Sequence, residues 1–186
     1  AADRAANIEW ETADIGAWQP RVQPDLIFTN AALHWLSGHD GLFTSLMNSL
    51  APGGTLAVQM PRNFGAVSHT SITKAAKQGP WRETLEPLLR PAPVEPPDFY
   101  ITILSPLADL LDVWETEYMQ VLTGEHPVKE WTKGTWLRPL LDALEEPELS
   151  GFESAYADLV AEAYPKQPDG TTIFPFRRMF IVAKRG

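Results

Sequence analysis

DLIFTNAALHWL (residues 25–36), followed after a short helix-like stretch by LAPGGTLAVQMP (residues 50–61), decides how this chain folds. DLIFTN is rich in apolar and strand-favouring residues, the pattern of a strand buried on both faces of a parallel sheet. Leu42, Phe43, Leu46, Met47 and Leu50 then recur at three- and four-residue steps, which predicts an amphipathic helix packed on that sheet. Pro52 cannot continue the helix, and Gly53 and Gly54 accept the left-handed turn that ends it. TLAVQMP (residues 55–61) predicts a second buried strand, and a crossover through a helix makes the two strands parallel. Ligands of such sheets sit beyond the carboxyl ends of the strands. That rule places a site at residues 30–35 and 60–64.

Outward from this unit the signals are weaker. NIEWETADI (residues 7–15) reads as a strand ending in Asp14, with Gly16 and Pro20 marking the loop that follows. Helices are expected over residues 71–77 and 81–89, the second with Pro80 near its start. RPAPVEPPD (residues 90–98) is proline-dense and favours an extended linker. Val113, Trp114, Thr116, Tyr118 and Val121 predict a strand. Residues 128–144 read as helix in two pieces broken near Gly134. Phe152, Tyr156, Leu159, Val160 and Ala163 share one helical face, and residues 171–184 form a last strand in which Pro175 suits an edge or an entry point. The sequence contains no internal repeat.

Composition bounds the function. At 186 residues, with 44% apolar and 21% charged, one globular domain with a sizeable core is expected. The formal charge of −9 argues against a nucleic-acid partner, since no basic stripe offsets repulsion from phosphates. Cysteine is absent, which excludes disulfides and thiolate metal sites and fits a reducing cytoplasm. No uninterrupted apolar stretch reaches membrane-spanning length, so no membrane partner is expected. His34, His39, His69 and His126 lack metal-ligand spacing, and no serine sits in a nucleophile elbow.

The two quoted stretches resemble the fourth and fifth strands of class I methyltransferases that use S-adenosyl-L-methionine. QGPWRE (78–83), DVWETEY (112–118), EWTKGTWLRPLL (130–141) and FPFRRMFIVAKR (174–185) narrow the resemblance to the trans-aconitate 2-methyltransferase family, over nearly the whole chain. It implies an α/β fold, a partial Rossmann-like sheet of strands three to seven with helical lid insertions at residues 62–111 and 127–147. The glycine-rich loop after the first strand and the acidic ribose partner after the second are features of that fold, and neither occurs here. The resemblance therefore implies a single methyltransferase domain (residues 1–186) that is a fragment without its N-terminal cofactor-binding part, opening with the third strand and inactive when isolated.

The same resemblance implies the chemistry: methyl transfer from S-adenosyl-L-methionine to a carboxylate of a small polycarboxylic acid, giving a methyl ester. Another small acid or a hydroxyl as acceptor, and a non-catalytic binding module, remain alternatives. For the cofactor it points to Asp14 and Ile15 at the adenine, to Asn30 and Ala31 where close backbone approach is needed, and to Trp35 packing on the adenine. Asp14 and Asn30 also suit plain turn residues, and Trp35 suits core packing. His34 is a candidate to orient the carboxylate, or to act as base toward a hydroxyl. Lys133, Arg138 and the pair Arg177 and Arg178 are the candidate cations, with Arg138 favoured as a bidentate clamp and catalytic residue, Arg177 as the substrate-binding member of its pair, and Trp131 and Trp136 as pocket walls. Strand alternation sends Arg177 and Arg178 to opposite faces, and all four cations also suit a solvated surface. Trp81 and Arg82 lie in a family-like block without an assigned role.

Overall fold

The computed structural model describes residues 8–186. Its sheet runs in the order β1–β2–β4–β3, with β1 at Leu26–Asn30, β2 at Thr55–Pro61, β3 at Ala108–Leu122 and β4 at Thr172–Arg185. The expected crossover is present: β1 and β2 pair in parallel, joined by α1 (His39–Ser49). The Pro-Gly-Gly break is required by backbone crowding. Gly53 has φ +75°, and a Cβ on Gly54 would lie 2.9 Å from the Ala51 carbonyl oxygen and 3.1 Å from that of Pro24.

β4 is antiparallel to β2 over residues 178–184 and to β3 along its whole length. β3 and β4 therefore outrun β2 and continue as a two-stranded ribbon. Pro175 lies in that ribbon, opposite Met119, where β4 has a single neighbour and a missing N–H is tolerated.

Two apolar cores form on this frame. In the first, Phe43, Leu46 and Met47 of α1 and Leu50 just after it pack on Leu56, Val58 and Met60 of β2 and on Met179 and Ile181 of β4, together with Tyr100 and Leu104 of α4 (Pro97–Leu104). In the second, α2 (Val67–Ala76), α5 (Pro127–Lys133), α6 (Arg138–Leu141) and α7 (Glu148–Ala163) close around Phe174 and Phe176 of the ribbon. Trp81, just before α3 (Arg82–Leu85), belongs to this second core. Its indole donates to the Ala75 carbonyl at 2.8 Å, and its ring fills the space left by Gly79 and Gly151. The QGPWRE block thus has a packing role.

One expectation is corrected. Residues 8–15 form no strand, and Trp10 is 83% exposed. A strand exists through ladder bonds to a neighbour, and this segment has none among the described residues; Asn7 lies outside them. The segment 62–111 is divided between the two cores. Its first half joins the helical layer, whereas Val94, Tyr100 and Leu104 are buried in the core beneath the sheet.

One face of the sheet is open among the described residues. Leu26 and Phe28 of β1 are 57% and 70% exposed, and Trp114 of β3 stacks on Phe180 of β4 on the same face at 40% exposure.

Candidate active site at the carboxyl ends of β1 and β2

β1 ends at Asn30, and the next residue turns the chain sharply. Ala31 has φ +51°, a left-handed conformation that costs an L-residue about 1–2 kcal/mol, and its amide is held by the Gln59 carbonyl at 2.9 Å. A 3-10 turn, Leu33–Trp35, follows. Leu33 enters the first core, His34 is buried beside it, and Trp35 stands outward at 56% exposure. His39 anchors this turn: its Nε2 donates to the Leu33 carbonyl at 3.1 Å, and its Nδ1 accepts from the Tyr100 hydroxyl at 2.6 Å. His39 is thereby a structural residue.

The turn forms one wall of a cleft of about 240 Å³. Ala31, His34 and Trp35 face Phe64 and His69 from the start of the helical layer, and Trp131, Thr135 and Trp136 from α5 and the loop after it. Asn63, Phe176 and Arg178 lie between the walls. Trp131 is braced by Phe174 and Phe176, with ring centroids 5.1 and 4.7 Å away, and Trp136 by Phe64 at 4.9 Å. Arg178 donates to Gln59 Oε1 at 2.9 Å and lies over the Phe176 ring at 4.8 Å.

His34 and His69 are both neutral at physiological pH. Burial lowers each pKa to about 4, and for His34 the neighbouring His39 ring and the Arg178 guanidinium add to it electrostatically. His34 Nδ1 is buried without a hydrogen-bond partner, whereas His69 Nδ1 meets Ser68 Oγ at 3.1 Å. Both rings therefore contribute stability that is fully present above the ordinary value of 6.5 and is lost as pH falls toward 4, because the unfolded chain takes up the protons first. Between pH 6.5 and 5 the loss is on the order of 2 kcal/mol per histidine. Urea midpoints at pH 7.5 and 5 are expected to differ accordingly, and His69→Gln to remove about half of the difference; equal midpoints in the parent would contradict this burial.

The structure brings Ala31, His34, Trp35, Trp131 and Trp136 of the sequence-derived set to this one cleft. Other expected residues are elsewhere. Asp14 is exposed and accepts the Gly16 amide at 2.9 Å, the turn-capping role, with Gly16 against Leu36 of the β1 loop; Ile15 is 44% exposed. Asn30 is exposed at the end of β1, on the side of the sheet facing Gln59. Arg138 is exposed and bonded to Asp142 at 2.8 Å, outside the cleft lining. Lys133 is bonded to Glu153 at 2.7 Å, and that hydrogen bond raises its pKa. Arg177 pairs with Glu117 at 3.3 Å and lines a separate, larger cavity with Arg62 and Glu95. Alternation along β4 thus gives the cleft Arg178. Asn63, Phe64 and His69 were not singled out from sequence; their only signal was proximity to the end of β2.

No protein-family model matches the chain. Among curated proteins, trans-aconitate 2-methyltransferase of Acidovorax ebreus is 42% identical over 183 residues, which is 98% of this chain and 71% of that protein. The chain belongs to the trans-aconitate 2-methyltransferase family. The Rhodococcus jostii member is 41% identical over 98% of this chain and 73% of its own length, and the Mycobacterium tuberculosis member 38% identical over 100% and 72%. Among solved structures, phosphoethanolamine N-methyltransferase 2 of Haemonchus contortus aligns with a TM-score of 0.44 at 15% identity, over 93% of this chain and 36% of its own. Family membership makes this an enzyme chain of the S-adenosylmethionine-dependent methyltransferase class. Among the described residues no cluster of side chains is arranged to hold a metal ion, and no helix is long and apolar enough to cross a membrane.

Proposed function

We propose that the cleft at the ends of β1 and β2 receives the acceptor in methyl transfer to a carboxylate of a small polycarboxylic acid of the trans-aconitate kind. The observation that carries this reading is the cleft itself: aromatic walls, neutral histidines and an arginine, at the carboxyl ends of parallel strands.

S-adenosylmethionine, when bound, supplies an electrophilic methyl group on sulfur. The residues of this chain that fit it are those at the β1 end. Ala31 presents no bulk at a backbone turn, Asn30 is exposed, and Trp35 offers an uncovered ring face to an adenine. Asp14 and Ile15 would contribute from the loop beside Leu36. The chain's own work is to hold the carboxylate oxygen in line and close, and to exclude water. Orientation of this kind is worth about 7–11 kcal/mol in well-aligned systems. Trp131 and Trp136 form the water-excluding wall, and His34, neutral, lines the floor. A carboxylate is already ionised at neutral pH and needs no base. A hydroxyl acceptor needs one with a pKa near the working pH, and histidines lowered to about 4 are weak bases.

The open sheet face bears on domain organisation. Parallel strands are normally covered on both faces, and Leu26 and Phe28 of β1 are not. We propose that in the working enzyme further chain, carrying the glycine-rich cofactor segment, pairs with the free edge of β1 and covers this face, and that residues 64–90 and 127–147 act as the substrate-covering layer. A cytoplasmic location accords with this reading.

The test is base-labile methyl-ester formation from labelled S-adenosylmethionine and a panel of small di- and tricarboxylic acids, trans-aconitate included. It is run with the 186-residue chain and with a version extended to the length of its relatives. Ester from the extended protein and none from the shorter is the expected pattern. Tight donor binding with no ester from any acid would end the carboxylate reading, and labelling of a hydroxyl compound would replace it.

A further inference from the structure

We propose that Arg178 is the specificity-determining anchor for the acceptor's carboxylate, oriented by Gln59; the proposal rests on the methyl-transfer reading and sharpens it. Its ground is the contrast between Arg178 and the other cations near the cleft. Arg62 is paired with Glu115 at 2.8 Å, Arg177 with Glu117 at 3.3 Å, Lys133 with Glu153 at 2.7 Å and Arg138 with Asp142 at 2.8 Å. Arg178, the cation in the cleft lining, differs from these neighbours: among the described residues no carboxylate lies within 4.0 Å of its guanidinium.

A half-buried cation without a counter-ion is costly, and an anion entering the cleft removes that cost. The geometry is also prepared. The Gln59 Oε1 bond at 2.9 Å and the Phe176 ring at 4.8 Å hold the guanidinium plane, and its remaining N–H groups form the planar fork that matches a carboxylate. Gln59 is a positioning residue. It is buried, its Oε1 serves Arg178, and its Nε2 has no partner. A glutamine there tethers the arginine without neutralising it; a glutamate would fill the place of the substrate.

The donor cofactor also carries a carboxylate, in its amino-acid portion. The position of Arg178 favours the acceptor: β4 is separated from β1 by β2, and Arg178 shares the cleft with Trp131, Thr135 and Trp136 of the helical layer.

Steady-state kinetics with trans-aconitate and calorimetric titration of S-adenosylhomocysteine, on the extended protein, test this. Arg178→Ala is expected to raise KM for the acid on the order of 100-fold, with kcat changed only a few-fold and S-adenosylhomocysteine affinity within about twofold. Arg178→Lys should recover part of the loss, because it restores charge without the fork. Gln59→Glu should raise KM comparably while leaving the fold intact, which separates lost anchoring from lost folding. Arg82→Ala, on an exposed ion pair with Glu86, is the surface control. An unchanged KM in folded Arg178→Ala would overturn the proposal, as would lost S-adenosylhomocysteine binding with the acid KM preserved, which would assign Arg178 to the donor. Arg178-dependent binding of the acid without any ester would sink the methyl-transfer reading and leave the anchor standing.

Discussion

Tyr156→Ala is expected to cost about 3–5 kcal/mol and to dissolve the helical layer that walls the cleft. Tyr156 is fully buried in α7, and its hydroxyl donates to the Ser68 carbonyl at 2.9 Å. The Thr132 hydroxyl, which bonds the Val128 and Lys129 carbonyls at 3.1 and 3.0 Å, lies 2.9 Å from the Tyr156 hydroxyl oxygen. One ring thereby ties α7 to the start of α2 and to α5, the elements that carry His69 and Trp131. Burial raises the Tyr156 pKa, so the hydroxyl remains a donor throughout the working range. The alanine variant leaves a ring-sized void and removes the tie to the Ser68 carbonyl. Against a typical stability of about 5–15 kcal/mol this is a large share. Tyr156→Phe keeps the packing and should lose only about 1–3 kcal/mol. Urea denaturation of the pair separates void from hydrogen bond, and ester formation should fall with the alanine variant while persisting in the phenylalanine one. An unchanged midpoint in Tyr156→Ala would show that the layer does not depend on this tie.

Tyr100→Ala should have an effect of similar size in the other core, again about 3–5 kcal/mol. The Tyr100 ring packs on Phe43 at 4.9 Å and edge-on to Phe99 at 5.2 Å. Its hydroxyl accepts the Glu95 amide at 3.2 Å and donates to His39 Nδ1, whose Nε2 in turn holds Leu33. The chain of bonds ends one residue before His34, so removing Tyr100 loosens the cleft floor as well as the core. A double-mutant cycle with Tyr100→Phe and His39→Gln should show coupling, because each single change already breaks the shared bond. Strict additivity of the two would argue against this linkage.

The central β1–α1–β2 unit could be read from residues 25–61 because its signals are local. An apolar run, a 3.6-residue period and a Pro-Gly-Gly break each lie within a few residues of what they specify. The break near Gly134 and the long helix bearing Phe152, Tyr156 and Val160 were legible for the same reason. Residues 8–15 show the limit of such signals. They have strand-like composition, yet a strand needs a partner, and composition does not supply one. Tyr100 shows it again. Its proline-dense neighbourhood suggested an extended linker, while its bonding partner His39 lies 61 positions away and fixes it beneath the sheet.

The cleft divides along the same line. Ala31, His34 and Trp35 follow a strand end, where the rule for parallel sheets places candidate site residues, and all three line the cleft. Alternation along the last strand likewise required Arg177 and Arg178 to face opposite ways. Which of them meets the cleft depended on the register that sets Arg178 opposite Pro61, and on Glu117 approaching Arg177 from the neighbouring strand. Lys133 and Arg138 were similarly open until Glu153 and Asp142 were found beside them. Side-chain type and period are properties of neighbouring residues and survive in the bare sequence. Whether a cation is neutralised or left waiting for a ligand is a property of distances across the fold, which arise only when distant segments pack.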